Sequence, residues 1–397
     1  MTSAVALFRL RSDVRFGPGS ALGIADELAR LPASRPGVVV DEAVADAPAV
    51  AAALARLQAE GVEPVSVLRR PGGEEPTYRE LDEAVEDVRA ADPDAIIGIG
   101  GGSAMDLAKG IAILLRNPGP SIQYRGMDLV PEPGVPCIVA PTTAGSGSEA
   151  TATAAFIDTD TRTKLGINGR HVGAAAAILD PELLVGTPAS VTISSGLDAL
   201  VHAVEAVATL NPNQVSIMLG GEAVRLLFDS LPRAVSEPDD VDARADTLLG
   251  AHLAGIAMQN AAGGPASGIS YPLGVHWGVP HGFAGGVLLP HVVEMNVARG
   301  HVAGYALLDE RLRPGTGGDG AAFSEAFWDV IDRMGAPRDF SGFGVTRADL
   351  DRLTSFTLEQ RGANLAANPG AAWNEADVRE LLELVLPAPA AAAGEAA

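Results

Sequence analysis

A strand, a glycine loop and a helix follow one another without a break over residues 95–115, and this order limits the fold more than any other part of the chain. The apolar run Ala95–Gly100 enters Gly101-Gly102-Ser103, which opens into an apolar helical pattern over 104–115. Such glycines let backbone N–H groups approach a diphosphate, and the positive end of the helix faces its charge. The loop indicates a dinucleotide site, although Ser103 replaces the third glycine of G-x-G-x-x-G and short patterns of this kind also mark simple tight turns.

In two further segments an apolar strand pattern again leads into a loop or a helical pattern. Residues 38–40 lead through Asp41 into an Ala-rich helical pattern over 47–60, and the apolar run 135–140 ends in the loop 141–149. Strands that alternate with helices predict a parallel sheet covered on both faces, with ligands at the carboxyl ends of its strands. Asp41 in that place favours NAD over NADP, because its carboxylate can bond the adenosine ribose and repel a 2′-phosphate; a helix cap is the structural alternative.

After about residue 184 the character of the sequence changes to long helical patterns, at 196–210, 215–231 and 244–262. A chain of 397 residues is long enough for two domains that fold without disulfides. We therefore predict an α/β N-terminal domain with a parallel sheet over residues 1–184, an all-α C-terminal domain over 185–386 and a frayed tail at 387–397.

The composition excludes several classes of protein. A net charge of −22, from 28 basic and 50 acidic residues, argues against nucleic acid as a partner. No apolar stretch reaches the roughly 18 to 20 residues of a membrane-spanning helix, and the first residues lack the apolar core of an export signal, so we expect a cytoplasmic protein without a membrane partner. The single Cys137 excludes an internal disulfide, and its apolar neighbours indicate a buried hydrophobe rather than a reactive thiol.

Asp198, His202 and His281 form a candidate ligand set. The first two are four residues apart in a helical pattern, so their side chains share one helix face, while His281 lies between Pro280 and Gly282. Three oxygen and nitrogen ligands with an open position would suit a divalent ion that polarises an alcohol or carbonyl oxygen. A surface Asp–His pair and a loop histidine with one backbone hydrogen bond are the structural alternatives.

Five segments occur in an order that resembles one family closely. They are GGGSAMDLAK at 100–109, PTTAGSGSEAT at 141–151, DPELL at 180–184, GLDALVHAVEA at 196–206 and YPLGVHWGVPHG at 271–282. The family is that of the iron-containing (group III) alcohol dehydrogenases, which include the maleylacetate reductases. The resemblance implies the dehydroquinate synthase-like fold, with a cleft between the two domains for the nicotinamide and a divalent metal.

The resemblance also assigns cofactor contacts in this sequence. They comprise the acid that selects NAD, the pyrophosphate loop with its following helix, a second cofactor loop, a ribose-side lysine and the leucine after an Asp-Pro pair. The matching residues are Asp41, Gly101, Gly102, Ser103, Asp106, Thr142, Thr143, Lys164 and Leu183. One departure is Glu75, in Glu75-Pro76-Thr77, where many members have Asn-Pro-Thr.

The metal ligands of the family match less completely. Members usually supply one aspartate and three histidines, with a fourth histidine nearby, and Asp198, His202 and His281 match this set whereas Ser267 and Tyr271 replace two histidines. In one interpretation the three remaining residues hold iron or zinc, with water or substrate in the fourth place. In the other, a metal-free reductase uses Tyr271 to protonate the developing alkoxide while Ser267 helps to bond it.

These features predict hydride transfer between NAD(H) and the carbonyl or alcohol of a small molecule. Ser267, Tyr271 and Thr153 would form a hydroxyl-rich pocket, which favours a polar or anionic substrate such as an aldehyde, a 2-oxo acid or a phosphonate, for example phosphonopyruvate or phosphonoacetaldehyde. The alternatives are a maleylacetate reductase-type activity and a homologue that binds the cofactor without catalysis. The family further implies a homodimer, for which the sequence offers only the apolar stretch 5–8.

Overall fold

The computed structural model describes residues 8–10, 12–31 and 33–388 of the chain. Its strands in chain order are β1 (Asp13–Phe16), β2 (Pro36–Asp41), β3 (Ser66–Arg70), β4 (Ala95–Gly100), β5 (Gly126–Met127), β6 (Cys137–Pro141), β7 (Thr153–Asp158), β8 (Thr163–Asn168) and β9 (Ala176–Leu179). Six of them form a sheet in the order β1-β9-β6-β4-β2-β3, in which every neighbouring pair is parallel. The predicted parallel sheet is confirmed, and its central strands β4 and β6 are buried along their whole length.

The helices divide between the two halves of the chain. In chain order they are α1 (Ile24–Arg30), α2 (Pro48–Ala59), α3 (Tyr78–Arg89), α4 (Gly102–Leu114), α5 (Ala189–Val207), α6 (Gln214–Ser236), α7 (Val241–Gln259), α8 (Pro265–Trp277), α9 (His281–Ala298), α10 (Ala303–Leu312), α11 (Gly320–Arg333), α12 (Leu350–Gln360), α13 (Gly362–Ala366) and α14 (Glu375–Val385). In the part of the chain that the structure describes, no strand follows β9, so the predicted all-α C-terminal half is confirmed.

Two features differ from the sequence expectation. Helix α5 begins at Ala189 rather than near residue 196, because the Ser195 hydroxyl bonds the Val191 carbonyl (2.8 Å) and so fits inside a helix. A small second sheet, in the order β5-β8-β7, was not expected. Its antiparallel pair β7 and β8 carries Thr153 and Lys164, which the sequence analysis assigned to the pocket and the cofactor site.

The structure bears on the expectations for Cys137, for membrane-spanning helices and for the two ends of the chain. Cys137 is buried on β6, and burial raises the pKa of its thiol to about 12, as expected for a core residue. No helix among the described residues is long and apolar enough to cross a membrane. Of the apolar stretch 5–8 and the predicted tail 387–397, residues 5–7 and 389–397 lie outside the described residues, and the homodimer and the division at residue 184 stay predictions.

Asp180 joins the end of the sheet to the turn after β1. It directly follows β9, and its carboxylate accepts hydrogen bonds from the backbone N–H groups of Gly19 (3.2 Å), Ala21 (2.8 Å) and Glu182 (3.0 Å). The residue is only 2% exposed, so water cannot replace these bonds. The start of the segment that leads into the helical half is therefore held by this one side chain.

We expect Asp180→Ala to destabilise the protein by roughly 3 kcal/mol, because the buried N–H group of Ala21 and the part-buried N–H groups of Gly19 and Glu182 lose their acceptor. The thermal and urea midpoints of the full chain measure the loss. The stability of Asp180→Asn, which keeps one carbonyl oxygen as an acceptor, should lie between that of Asp180→Ala and that of the unchanged protein. A melting temperature of Asp180→Ala within about 1 °C of the unchanged protein would contradict this account.

Candidate functional site

The predicted cofactor residues of the sheet meet at one edge. Residue Ile99 of β4 lies beside Val40 of β2 on one side and Ala140 of β6 on the other, so the segments after all three strands leave the sheet together. Gly100 has a φ of 154° and a Cβ there would lie 2.8 Å from the Cβ of Asp41, so the turn requires glycine. Asp41 thus lies directly beside the glycine loop, where its carboxylate accepts a hydrogen bond from Ala43 N–H (3.0 Å).

The glycine loop opens into α4 in the way that suits an anion. Helix α4 begins at Gly102, with Gly101 at its N-cap position, and no side chain caps its first N–H groups. These groups and the helix dipole fit the diphosphate of a dinucleotide. Ser103 lies in the first turn of the same helix, so Gly101, Gly102 and Ser103 are placed as the sequence analysis expects.

Asp106 connects α4 to its surroundings. Its carboxylate accepts hydrogen bonds from the Ser148 hydroxyl (2.5 Å) and the Ala155 N–H (3.0 Å), and it lies 3.0 Å from the ammonium group of Lys109. The buried Lys109 also donates to the Ser148 carbonyl oxygen (2.8 Å). Both charges therefore fix the second cofactor loop and β7 against α4, a role that the sequence analysis did not foresee; the predicted contact of Asp106 with the cofactor stays a prediction.

The remaining sheet-side residues are placed around this edge. Thr142 is buried and donates its N–H to the Gly100 carbonyl oxygen (2.9 Å), which joins the two loops. Thr142 and Thr143 line a small cavity together with Leu184, Thr192 and residues of α7. Leu183 is buried in the short 3-10 turn Pro181–Leu184. Their contacts with a cofactor stay predictions.

Asp198, His202 and His281 come together as predicted. Their donor atoms all lie within 4.8 Å of one another. Asp198 Oδ1 is 3.4 Å from His202 Nε2 on the same face of α5, and 3.8 Å from His281 Nε2 at the first residue of α9. The close approach of the two helices requires Gly282, because a Cβ there would lie 2.5 Å from the Cβ of Asp198.

The chemistry of this donor set suits a divalent ion. One carboxylate oxygen and two imidazole nitrogens are ligands that zinc and iron accept, and three protein ligands leave a position open. Burial lowers the pKa of His281 to about 3, so its ring is neutral, and its Nδ1 lies 2.9 Å from the Ser270 hydroxyl, which leaves Nε2 for an ion. The Nδ1 of His202 is buried without a hydrogen bond. The residues present therefore fit a metal.

Ser267 does not take the place of a fourth ligand, because its hydroxyl donates a hydrogen bond to the buried Glu205 (2.5 Å). The Glu205 carboxylate also accepts from the N–H groups of Gly264 (2.6 Å) and Ala266 (2.9 Å), at the start of α8. Burial raises the pKa of Glu205, although the hydrogen bonds that its carboxylate accepts act to lower it. Glu205 thus holds α8 against α5, three residues beyond His202, and the sequence analysis did not single it out.

Tyr271 lies beside the candidate ligand set and close to two cations. Its ring centroid is 4.4 Å from that of His281, and its face contacts the Arg361 guanidinium (3.7 Å) with the Lys164 ammonium at 5.4 Å. Lys164 pairs with Glu75 (2.5 Å), which explains the departure from Asn-Pro-Thr at that position. Burial works against the charge of Lys164, but Glu75 and other negative neighbours raise its pKa overall. No hydrogen bond joins the Tyr271 hydroxyl to a described residue.

A cavity of about 220 Å³ lies at the junction of the two halves. The sheet half contributes Thr151 and Thr153, and the helical half contributes His202, Met258, Gln259, Gly263, Ser267, Tyr271 and Asn364. Thr153, Ser267 and Tyr271, which were expected to form a hydroxyl-rich pocket, all line this cavity. The cavity reaches the candidate ligand set through His202.

His276, which lies between Tyr271 and His281 in the sequence, is turned to other neighbours. Its ring stacks on Phe356 of α12, with centroids 4.0 Å apart, and both ring nitrogens are buried without hydrogen bonds. Burial lowers the pKa of His276 to about 4, so the ring is neutral and behaves as an aromatic packing residue.

Comparison with known proteins places these features in a family. The family described as "Iron-containing alcohol dehydrogenase" matches residues 12–181, and the "Fe-containing alcohol dehydrogenase family, C-terminal" matches residues 192–386. The chain is 32% identical over 294 residues to the NAD-dependent methanol dehydrogenase of Bacillus methanolicus, a match that covers 72% of this chain and 76% of that protein.

Two further relatives extend this likeness. The sulfoacetaldehyde reductase of Bilophila wadsworthia (strain 3_1_6) is 33% identical over 284 residues, covering 70% of this chain and 73% of that protein. The solved structure of the alcohol dehydrogenase from Oenococcus oeni has a TM-score of 0.88 at 27% identity and covers 96% of this chain and 100% of its own. The sequence and the fold of the chain both match this family, and the chain therefore belongs to the iron-containing alcohol dehydrogenase family of oxidoreductases.

Proposed function

We propose that the protein is an NAD(H)-dependent reductase or dehydrogenase that transfers hydride between the nicotinamide and the carbonyl or alcohol carbon of a small polar substrate. The observation that carries this proposal is the cavity at the junction of the two halves, because His202 lines it from the helical side and lies in the same donor cluster as Asp198 and His281. The glycine loop at the carboxyl edge of the sheet supplies a separate place for the dinucleotide.

The chain's own residues would bind and orient the cofactor. The uncapped first turn of α4 would receive the diphosphate, and Asp41 beside it would accept hydrogen bonds from the ribose. Thr142 and Thr143 would line the path from this edge toward the helical half. The ion pair between Asp106 and the buried Lys109 would keep the two loops at a fixed spacing.

Asp198, His202 and His281 would hold a divalent ion, iron or zinc, which when bound supplies Lewis-acid polarisation of a substrate oxygen. Tyr271 would act on the same oxygen, since its ring contacts His281 and its hydroxyl has no partner among the described residues. A hydroxyl donor at that place stabilises the charge that develops on the oxygen during reduction. Ser267 would act by keeping α8 and Tyr271 in position through Glu205.

The substrate that fits this site is small and polar. The lining offers hydroxyl and amide groups, from Thr151, Thr153, Gln259, Tyr271 and Asn364, and little apolar surface for a long alkyl chain. An aldehyde, a 2-oxo acid or a phosphonate such as phosphonoacetaldehyde would match it. The relative named sulfoacetaldehyde reductase acts, by its name, on an aldehyde of this polar kind.

The proposal is tested by NADH oxidation against a panel of simple aldehydes, 2-oxo acids, phosphonates and maleylacetate. We expect turnover of short polar carbonyls that exceeds turnover of long-chain aldehydes. Tight NADH binding without turnover of any carbonyl would instead identify a homologue that binds the cofactor without catalysis. Preferred turnover of maleylacetate would assign the alternative reductase activity.

We expect Asp41→Ser to raise the ratio of NADPH to NADH efficiency by roughly tenfold or more, because a repulsion of about 1.4 kcal/mol or more with the 2′-phosphate is removed. Steady-state kinetics with both cofactors measure the ratio. Asp46→Ser, an exposed acid five residues further on, is the control and should leave the ratio unchanged. An unchanged ratio in Asp41→Ser would show that Asp41 only caps the turn to Ala43.

We expect Tyr271→Phe to lower kcat about tenfold to a hundredfold with little change in the KM for NADH, because one hydrogen bond to the developing oxygen charge is lost. The ring, and with it the contacts to His281 and Arg361, would be retained. Steady-state kinetics on a carbonyl identified in the panel measure the change. An unchanged kcat would show that Tyr271 only fills space in the cavity wall.

A further inference from the structure

Arg361 is a buried cation without a carboxylate. Its side chain belongs to a residue that is 8% exposed, and its Nη2 donates to the neutral carbonyl oxygen of Lys164 (2.5 Å). No carboxylate pairs with it among the described residues, and its Nε is buried without a hydrogen bond. An uncompensated buried charge is costly unless a partner joins it, so the guanidinium is prepared for an anion from outside the chain.

The charged side chains Glu75 and Arg125, which act electrostatically on Arg361, are already paired with other residues. Glu75 pairs with Lys164 (2.5 Å), and Asp158 pairs with Arg125 (2.8 Å). Each of these pairs is neutral as a unit, so the positive charge of Arg361 stays unbalanced. Burial lowers the pKa of Arg361, but a guanidinium remains charged near neutral pH.

Arg361 is not itself a lining residue of the cavity, but it lies against two residues that are. Its guanidinium carbon lies 3.7 Å from the centroid of the Tyr271 ring, and Tyr271 lines the cavity. Asn364, whose N–H bonds the Arg361 carbonyl oxygen (3.0 Å), lines the cavity as well. The described lining residues include no carboxylate that could repel an anion.

We propose that Arg361 selects an anionic group on the substrate, binding a sulfonate, phosphonate or carboxylate at the Tyr271 side of the cavity. This inference rests on the proposed function for the reacting carbonyl, and it adds the substrate class. The planar guanidinium has five N–H donors, of which the structure uses one, and their fork matches two oxygens of such a group. Lys164 adds a second, already paired cation 5.4 Å from the same ring.

The first test compares two aldehydes that differ in charge, phosphonoacetaldehyde and the neutral glycolaldehyde, with NADH as the reductant. In Arg361→Met we expect kcat/KM for phosphonoacetaldehyde to fall roughly a hundredfold, the scale of a lost charge-assisted hydrogen bond, and that for glycolaldehyde to change less than about threefold. Arg361→Lys, which keeps the charge, should recover part of the loss. Equal losses on both aldehydes, or no preference in the unchanged protein, would overturn the proposal.

Arg338→Met is the matched control for this comparison. Arg338 also lies over an aromatic ring, that of Trp328 (4.6 Å), but it is half exposed and pairs with Asp332. Its replacement should leave the ratio between the two aldehydes unchanged. Melting temperatures of all variants show whether a loss reflects folding, and a partial recovery in Arg361→Lys argues for charge even where Arg361→Met is less stable.

Binding provides a readout that does not depend on turnover. Titration calorimetry of the full-length protein with 2-hydroxyethylphosphonate should show binding that Arg361→Met weakens at least about tenfold, with ethylene glycol as the neutral control. If no carbonyl is turned over but this binding depends on Arg361, the proposed function fails and the anion site stands. If neutral carbonyls react but neither binding nor turnover of the phosphonate depends on Arg361, the anion site fails and the proposed function stands.

Discussion

The carboxylate of Glu205 is the interaction on which the arrangement of the site depends. It lies on α5, the helix that carries Asp198 and His202, and it accepts hydrogen bonds from the first N–H groups of α8 and from the Ser267 hydroxyl. A helix start without a side-chain cap of its own needs such acceptors, and here a neighbouring helix supplies them. The position of Tyr271, one turn further along α8, follows from this contact.

The third candidate ligand is fixed by a second contact of the same kind. His281 opens α9 and lies against Ser270 of α8 (2.9 Å), while Gly282 allows α9 to approach Asp198. Two short polar contacts, Glu205 to Ser267 and Ser270 to His281, therefore link three helices around one group of donor atoms. Ser267, at the position where the resemblance implied a histidine, bonds Glu205 in this scaffold, and the three candidate ligands stay together.

The sequence predicted those parts of the molecule that depend on local patterns. The buried runs at 95–100 and 135–140 became central parallel strands, and the spacing between Asp198 and His202 placed both on one helix face. Contacts between residues that are far apart in the sequence could not be predicted from local patterns. Nothing near Arg361 in the sequence indicates its contact with Tyr271, ninety residues earlier, and the partner of Glu75 became clear only when β8 placed Lys164 beside it.

Elemental analysis of the purified protein, combined with NADH oxidation before and after chelation, tests the central claim most directly. The claim is that Asp198, His202 and His281 are sufficient to hold a catalytic ion although Ser267 and Tyr271 replace two histidines. It predicts close to one iron or zinc ion per chain, with activity that is lost on chelation and restored by the metal. A protein without metal whose activity is unaffected by chelation would contradict it and would transfer the stabilisation of oxygen charge to Tyr271.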